Sequence, residues 1–338
     1  MENQKIYSVQ SIGNQWPTLD PFLFTAHHKE VYPKGNEDMS ISVPLEGRNI
    51  GSDFSGKDGF SMYHGRKIPG FPYHPHRGFE TVTIVEEGLA DHSDSLGSAG
   101  RFGEGDVQWM TAGAGVQHSE MFPLLNTEKE NPLELFQIWL NLPKKDKMAS
   151  PSYKMLWHED IPIVNKKDNN GNDINIKVIA GAYGVQKPLS PTPDSWASDT
   201  SNKVAIWRVK LSPSAIWKLP KDSSEVNRVL YFYRGNEITV EDKHVDKNSL
   251  FHINPTEEIT VRAGDTDTFV LLLQGVPINE PVAQHGPFVM NSKEELQQAF
   301  ADYQRTEFGG WPWDKKEMVH DKERGRFALH ADGVLEER

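Results

Sequence analysis

TVTIVEEGLADHSD, residues 81–94, reads as a strand, a glycine and a second strand. β-Branched residues dominate TVTIV, and Gly88 supplies the turn before the chain resumes. RVLYFYRGNEITVED, residues 228–242, repeats the plan around Gly235. Outward from these two stretches lie more short runs of the same character, among them GDVQWM, LFQIWLNL, INIKVIAG, KVAIWRVKL and DTFVLLLQG. Short strands at regular spacing with turn residues between them predict an all-β sandwich or barrel. The echo between the two halves fits two copies of one barrel unit. The glycine-rich DSLGSAGRFGEGD (94–106) is expected as hairpin loop.

One helix is expected near the C-terminus. Ser292 and Glu295 in NSKEELQQAFADY match a capping box, and Leu296, Phe300 and Tyr303 follow at helical spacing. The proline- and serine-rich KPLSPTPDSW (187–196) is the expected hinge, and KKDNNGND (166–173) a polar loop. The chain therefore divides on paper into an N-terminal domain (1–165), a linker (166–200), a C-terminal domain (201–313) and a charged surface arm (314–338).

The 338 residues carry a net charge of −12, which argues against direct nucleic-acid binding. There is no cysteine, so disulfides, thiolate-held zinc, iron–sulfur clusters and thiol nucleophiles are excluded. The N-terminus lacks an apolar stretch of signal-peptide length, and FVLLL (269–273) is too short to span a bilayer. A cytoplasmic protein without membrane contact is the expectation.

PYHPHRGFE (72–80) carries the chemistry. Residues i and i+2 of a strand face the same way, so His74 and His76 share a face. Pro75 between them cannot donate to a ladder, which puts the segment at a strand start or sheet edge. AGVQHSEMF (114–122) repeats the parity with His118 and Glu120. Two such strands side by side make one site of three imidazoles and one carboxylate. Without sulfur, that donor set suits Fe2+, Mn, Ni, Cu or Zn, and an open six-coordinate site favours iron or manganese. Glu80 competes with Glu120, because H-x-H-x-x-x-E is the first metal motif of the cupin superfamily, and parity does not choose between them. His92, His158, His244, His252, His285 and His320 lack such partners and read as surface or satisfied residues. The adjacent His27 and His28 would face opposite ways and read as structural.

HPHRGFETVT (74–83), DHSDSLG (91–97), GDVQWMTAGAGVQHSEM (105–121), LFQIWLNLP (135–143) and HGPFVMN (285–291) together resemble the pirin family. The resemblance runs from about Asp20 to the GGWPW ending at Trp313, and this chain is longer around 30–60, near the linker and at the C-terminus. It implies a bicupin, two tandem β-barrels with a short C-terminal helix and the metal in the first barrel. It also implies one iron ion on His74, His76, His118 and Glu120. Glu80 then becomes a candidate to orient a ligand histidine.

Several pirins are quercetin 2,3-dioxygenases, so the resemblance implies ring-opening of a flavonol or other small phenolic by O2 with loss of carbon monoxide. Glu120 would be the base. Phe71, Phe79, Trp109, Phe136 and Trp139 are each expected as barrel core and as candidate walls for a flat polyphenol. Arg77 would meet an anionic substrate, or pair with Glu80 or Asp106. The resemblance equally implies an alternative, a non-enzymatic regulator whose iron redox state tunes binding to a protein partner.

Overall fold

A computed structural model describes residues 4–338 and is almost entirely β. The chain folds as two compact units. One takes the chain up to Thr25 together with Glu159–Asn279, and the other takes Ala26–His158 and Glu280–Arg338. The termini are thus exchanged relative to the linear division, and backbone pairing explains why. Strand Ile6–Ser11 pairs antiparallel with Ser249–Ile253 in a seven-stranded sheet of the C-terminal unit. A four-stranded sheet completes that unit, and the hinge stretch 187–196 lies within it.

Two main sheets form the metal-motif unit. One carries Phe79–Glu87 between Val107–Thr111 and Asn131–Asn141; the other carries Leu89–Asp94 between Ala99–Gly103 and Val116–Met121, with Gly70–His76 at its edge. Pro75 accordingly sits on an edge strand. The glycine-rich stretch expected as loop contains a buried strand, Ala99–Gly103, because Phe327–Leu329 pairs with it. At Gly100 a Cβ would come within 2.9 Å of the Phe327 carbonyl oxygen, so a glycine belongs at this close approach.

The C-terminal segment is a strap rather than a surface arm. Asp91 holds Arg101 at 2.7 and 2.8 Å, and the Arg101 guanidinium donates to the carbonyls of His320, Asp321 and Arg324. The backbone of His320 donates back to Asp91 at 2.8 Å. A buried guanidinium with this many acceptors accounts for so charged a segment folding onto the sheet.

The expected helix spans Lys293–Thr306, with the capping box between Ser292 and Glu295 formed on both sides. No helix among the described residues is long and apolar enough to cross a membrane.

Candidate metal centre

His74 and His118 are direct antiparallel partners on neighbouring strands. Their Nε2 atoms lie 3.1 Å apart. His76 joins them, with ring centroids 4.8 Å from His74 and 4.9 Å from His118. One ring nitrogen from each of the three lies within 4.8 Å of the others. The i, i+2 parity of both motifs and the pairing of their strands bring this about, as the spacing predicts.

Backbone carbonyls fix two of the rings. A carbonyl only accepts, so the contact from His74 Nδ1 to Pro72 O at 3.0 Å puts the proton on Nδ1 and leaves the Nε2 lone pair toward His118. His76 Nδ1 faces Pro287 O at 3.4 Å in the same sense. Burial lowers the His74 pKa to about 4 and holds His76 and His118 well below the usual range. All three rings are neutral near neutral pH, the state a metal requires of imidazole.

Glu120 stands beside the cluster, with Oε2 3.8 Å from His118 Nε2. Thr83 Oγ1 donates to its Oε1 at 3.0 Å and Gln137 Nε2 to its Oε2 at 2.8 Å. Burial raises the Glu120 pKa, and these two donors oppose the shift. Attraction to His92 opposes the burial shift as well, and Thr83 and Gln137 orient the carboxylate.

Glu80 faces the other way. The parity linking it to His76 fails because Gly78 intervenes at φ 84°, between the strand ending at His76 and the one starting at Phe79. A Cβ at Gly78 would lie 2.0 Å from the Val289 carbonyl oxygen. On the new strand Thr83 points toward Glu120, so Glu80, three residues earlier, is on the opposite face. There Glu80 accepts from Trp109 Nε1 at 3.1 Å and Thr111 Oγ1 at 2.8 Å.

The same alternation sorts the aromatic candidates. Phe79 and Trp139 lie 5.1 and 5.5 Å from the His76 ring, and Phe71 lies 6.2 Å from His74. Trp109 lies on the Glu80 face, and Phe136, paired with Ile84, stacks on His27 at 4.5 Å. Neither faces His74, His76 or His118. Arg77 pairs with neither Glu80 nor Asp106. Its guanidinium binds Asp302 at 2.9 Å and the Ala114 carbonyl at 2.6 Å, and lies over the Phe308 ring. It anchors the C-terminal helix.

His92 was expected as a surface or satisfied residue, and it lies buried beside the centre without joining the three-histidine group. It is fully buried, directly opposite Glu120 in register, with its ring 5.5 Å from His118. Its Nε2 lies 3.4 Å from Asp94. Pairing DHSD with VQHSEM in an antiparallel ladder would have found it, since His92 has the parity of His118 and Glu120.

Comparison with known proteins gives the family and the fold. Residues 4–140 match the family model described as Pirin, and residues 206–309 the Pirin C-terminal cupin domain. A pirin-like protein of Caulobacter vibrioides is 38% identical over 243 residues, covering 71% of this chain and 81% of the relative. Human pirin is 34% identical over 257 residues, covering 74% and 81%. Among solved structures, quercetin 2,3-dioxygenase from Acinetobacter baumannii superposes with a TM-score of 0.71 at 27% identity, covering 90% of this chain and 98% of that one.

Proposed function

The chain belongs to the pirin family, and on that premise we propose that its N-terminal cupin is a metal-dependent dioxygenase that opens the central ring of quercetin-type flavonols. The observation that carries this reading is the convergence of three neutral imidazoles, two buried and one partly so, beside an oriented carboxylate. Two imidazole nitrogens 3.1 Å apart, one of them with its lone pair fixed toward the other, fit a bound divalent cation. His74, His76 and His118 would hold it, with Glu120 as fourth donor. Nitrogen and oxygen donors without sulfur suit Fe2+, Mn, Ni, Cu or Zn, and the family resemblance favours Fe2+ among them. The solved quercetin 2,3-dioxygenase of the same fold supports the choice of reaction.

When bound, the metal supplies Lewis acidity that lowers the pKa of the flavonol 3-hydroxyl. Glu120 accepts that proton once it loosens from the metal, and the upward push of burial on its carboxyl suits a base. Thr83 and Gln137 hold the carboxylate in place while it does so. Phe71, Phe79 and Trp139 offer ring faces and edges to a flat substrate and keep water from the reacting carbon. The flavonol oxyanion then takes up O2, both oxygen atoms enter the products, and the carbon between the two cleaved bonds leaves as carbon monoxide.

The test joins metal and turnover. Protein purified without a histidine tag is assayed for metal, reloaded anaerobically with Fe2+, and mixed with quercetin and O2. Loss of flavonol absorbance with carbon monoxide release, stopped by chelation, is the expected result. One firmly held iron with no turnover of quercetin or related phenols would overturn the enzyme in favour of a metal-responsive regulator acting through a protein partner.

A further inference from the structure

Residues 44–66 form a built wall beside the metal centre. A buried ion pair organises it. Arg48 donates to Asp53 at 2.9 Å and to the Phe60 carbonyl at 2.9 Å, and both charged side chains are 1% exposed. Asp53 also accepts from the Met62 backbone at 3.1 Å and the Ser55 hydroxyl at 2.6 Å. The backbones of Asp53 and Tyr63 exchange hydrogen bonds of 2.8 and 2.7 Å.

Tyr63 closes the wall in a costly conformation. Its φ is 55°, in the left-handed region that a bulky aromatic residue seldom adopts. Its buried hydroxyl donates to Glu30 and meets His28 Nδ1 at 2.8 Å. Its ring stacks on Phe71 with centroids 5.0 Å apart. A segment pinned by a buried ion pair and a strained tyrosine is pre-organised, which is the property a binding surface needs.

What this frame presents is an exposed aromatic. Phe54 is 50% exposed, although its ring packs against Tyr63 at 5.4 Å, His64 at 5.2 Å and Phe71 at 6.4 Å. Phe71 in turn lies 6.2 Å from the His74 ring. A row of rings thus leads from solvent to a candidate metal ligand in two steps of similar length. Held half out of the surface by the Tyr63, His64 and Phe71 rings, Phe54 offers an aromatic face to a ligand reaching out from the centre. The row suits a planar molecule of more than one ring, held at one end by the metal centre.

We propose that Phe54, with His64 and Phe71, is a specificity-determining subsite that binds the substrate ring remote from the metal and so selects multi-ring phenolics over single-ring ones. This rests on the N-terminal centre being the substrate site. Phe54 packs at the edge of the wall and bears none of its anchoring hydrogen bonds, so its removal leaves the Arg48–Asp53–Tyr63 frame standing.

The experiment measures binding without turnover. Iron-loaded protein is titrated anaerobically with quercetin and, separately, with catechol, following quenching of intrinsic fluorescence. Phe54→Ala is expected to weaken quercetin by about tenfold, the scale of one lost aromatic contact, and to leave catechol unchanged. Phe54→Tyr should keep quercetin affinity. Unchanged quercetin affinity in Phe54→Ala, or equal weakening of both ligands, overturns the subsite. Turnover of quercetin without Phe54 dependence removes the subsite and leaves the dioxygenase. Phe54-dependent binding with no turnover keeps the subsite and removes the reaction. Failure of wild-type protein to bind either phenol overturns both.

Discussion

The two barrels share a plan and differ in what they enclose. In the C-terminal unit the central strands pair Leu230 with Leu272 and Phe232 with Val270. All four are fully buried in one apolar cluster with Trp207, Trp217 and Phe251. In the N-terminal unit the matching central pair sets Thr83 opposite Gln137 and Thr81 opposite Trp139. There the interior holds His118, His92, Glu120 and the hydroxyl and amide that orient Glu120. One barrel spends its interior on burying carbon, which is the main source of stability. The other keeps polar groups inside, which costs desolvation and is offset only where hydrogen bonds or a metal complete them. The same backbone architecture supports both, so the chemistry rests on side chains and not on the barrel.

The largest contrast comes from one substitution in each interior. His118→Ala should reduce metal affinity by more than about 100-fold, beyond what loss of an outer partner does, while leaving the protein folded. Phe232→Ala should instead cost about 3–5 kcal/mol of stability and leave metal content unchanged. Elemental analysis and denaturant unfolding on both variants read the two effects. Full metal occupancy in His118→Ala would break the four-donor centre.

A second difference is electrostatic and centres on Glu30 and His28 of the metal unit. Burial raises the Glu30 pKa from 4.5 to about 7. Between those values the folded protein holds a proton that the unfolded chain has lost, so this group's contribution to stability falls as pH rises, by about 3 kcal/mol in all. His28, on the same tyrosine hydroxyl, acts oppositely. Its pKa is lowered by burial to about 4, so its contribution rises with pH up to the ordinary histidine range. The two nearly cancel in the wild type, and substitution separates them. The stability of Glu30→Gln relative to wild type should increase by about 3 kcal/mol between pH 4.5 and 7.5, read from unfolding midpoints. A flat difference would place Glu30 in a more solvated setting.

The smallest effect tests the two faces of a single sheet. Glu120→Gln should weaken metal binding, whereas Glu80→Gln should leave it unchanged and cost about 1 kcal/mol of stability through its hydrogen bonds to Trp109 and Thr111. Comparable metal loss in both variants would mean that the Glu80 face communicates with the centre.

The sequence by itself determined the β architecture, the duplicated barrel, the capped helix and the convergence of His74, His76 and His118. These are local or parity-governed: strands alternate, capping boxes repeat a fixed spacing, and i, i+2 residues share a face. Tertiary structure alone decided the rest. Gly78 breaks the count between His76 and Glu80, and no parity rule survives a turn of positive φ. His92 lies beside the centre because its strand pairs with that of Glu120. Arg77 meets Asp302 across 225 residues of chain, and the charged C-terminal strap is held by the Asp91–Arg101 pair. Contacts between residues far apart in sequence leave no periodic trace, and a charged segment reads as solvated until a buried partner for it is found.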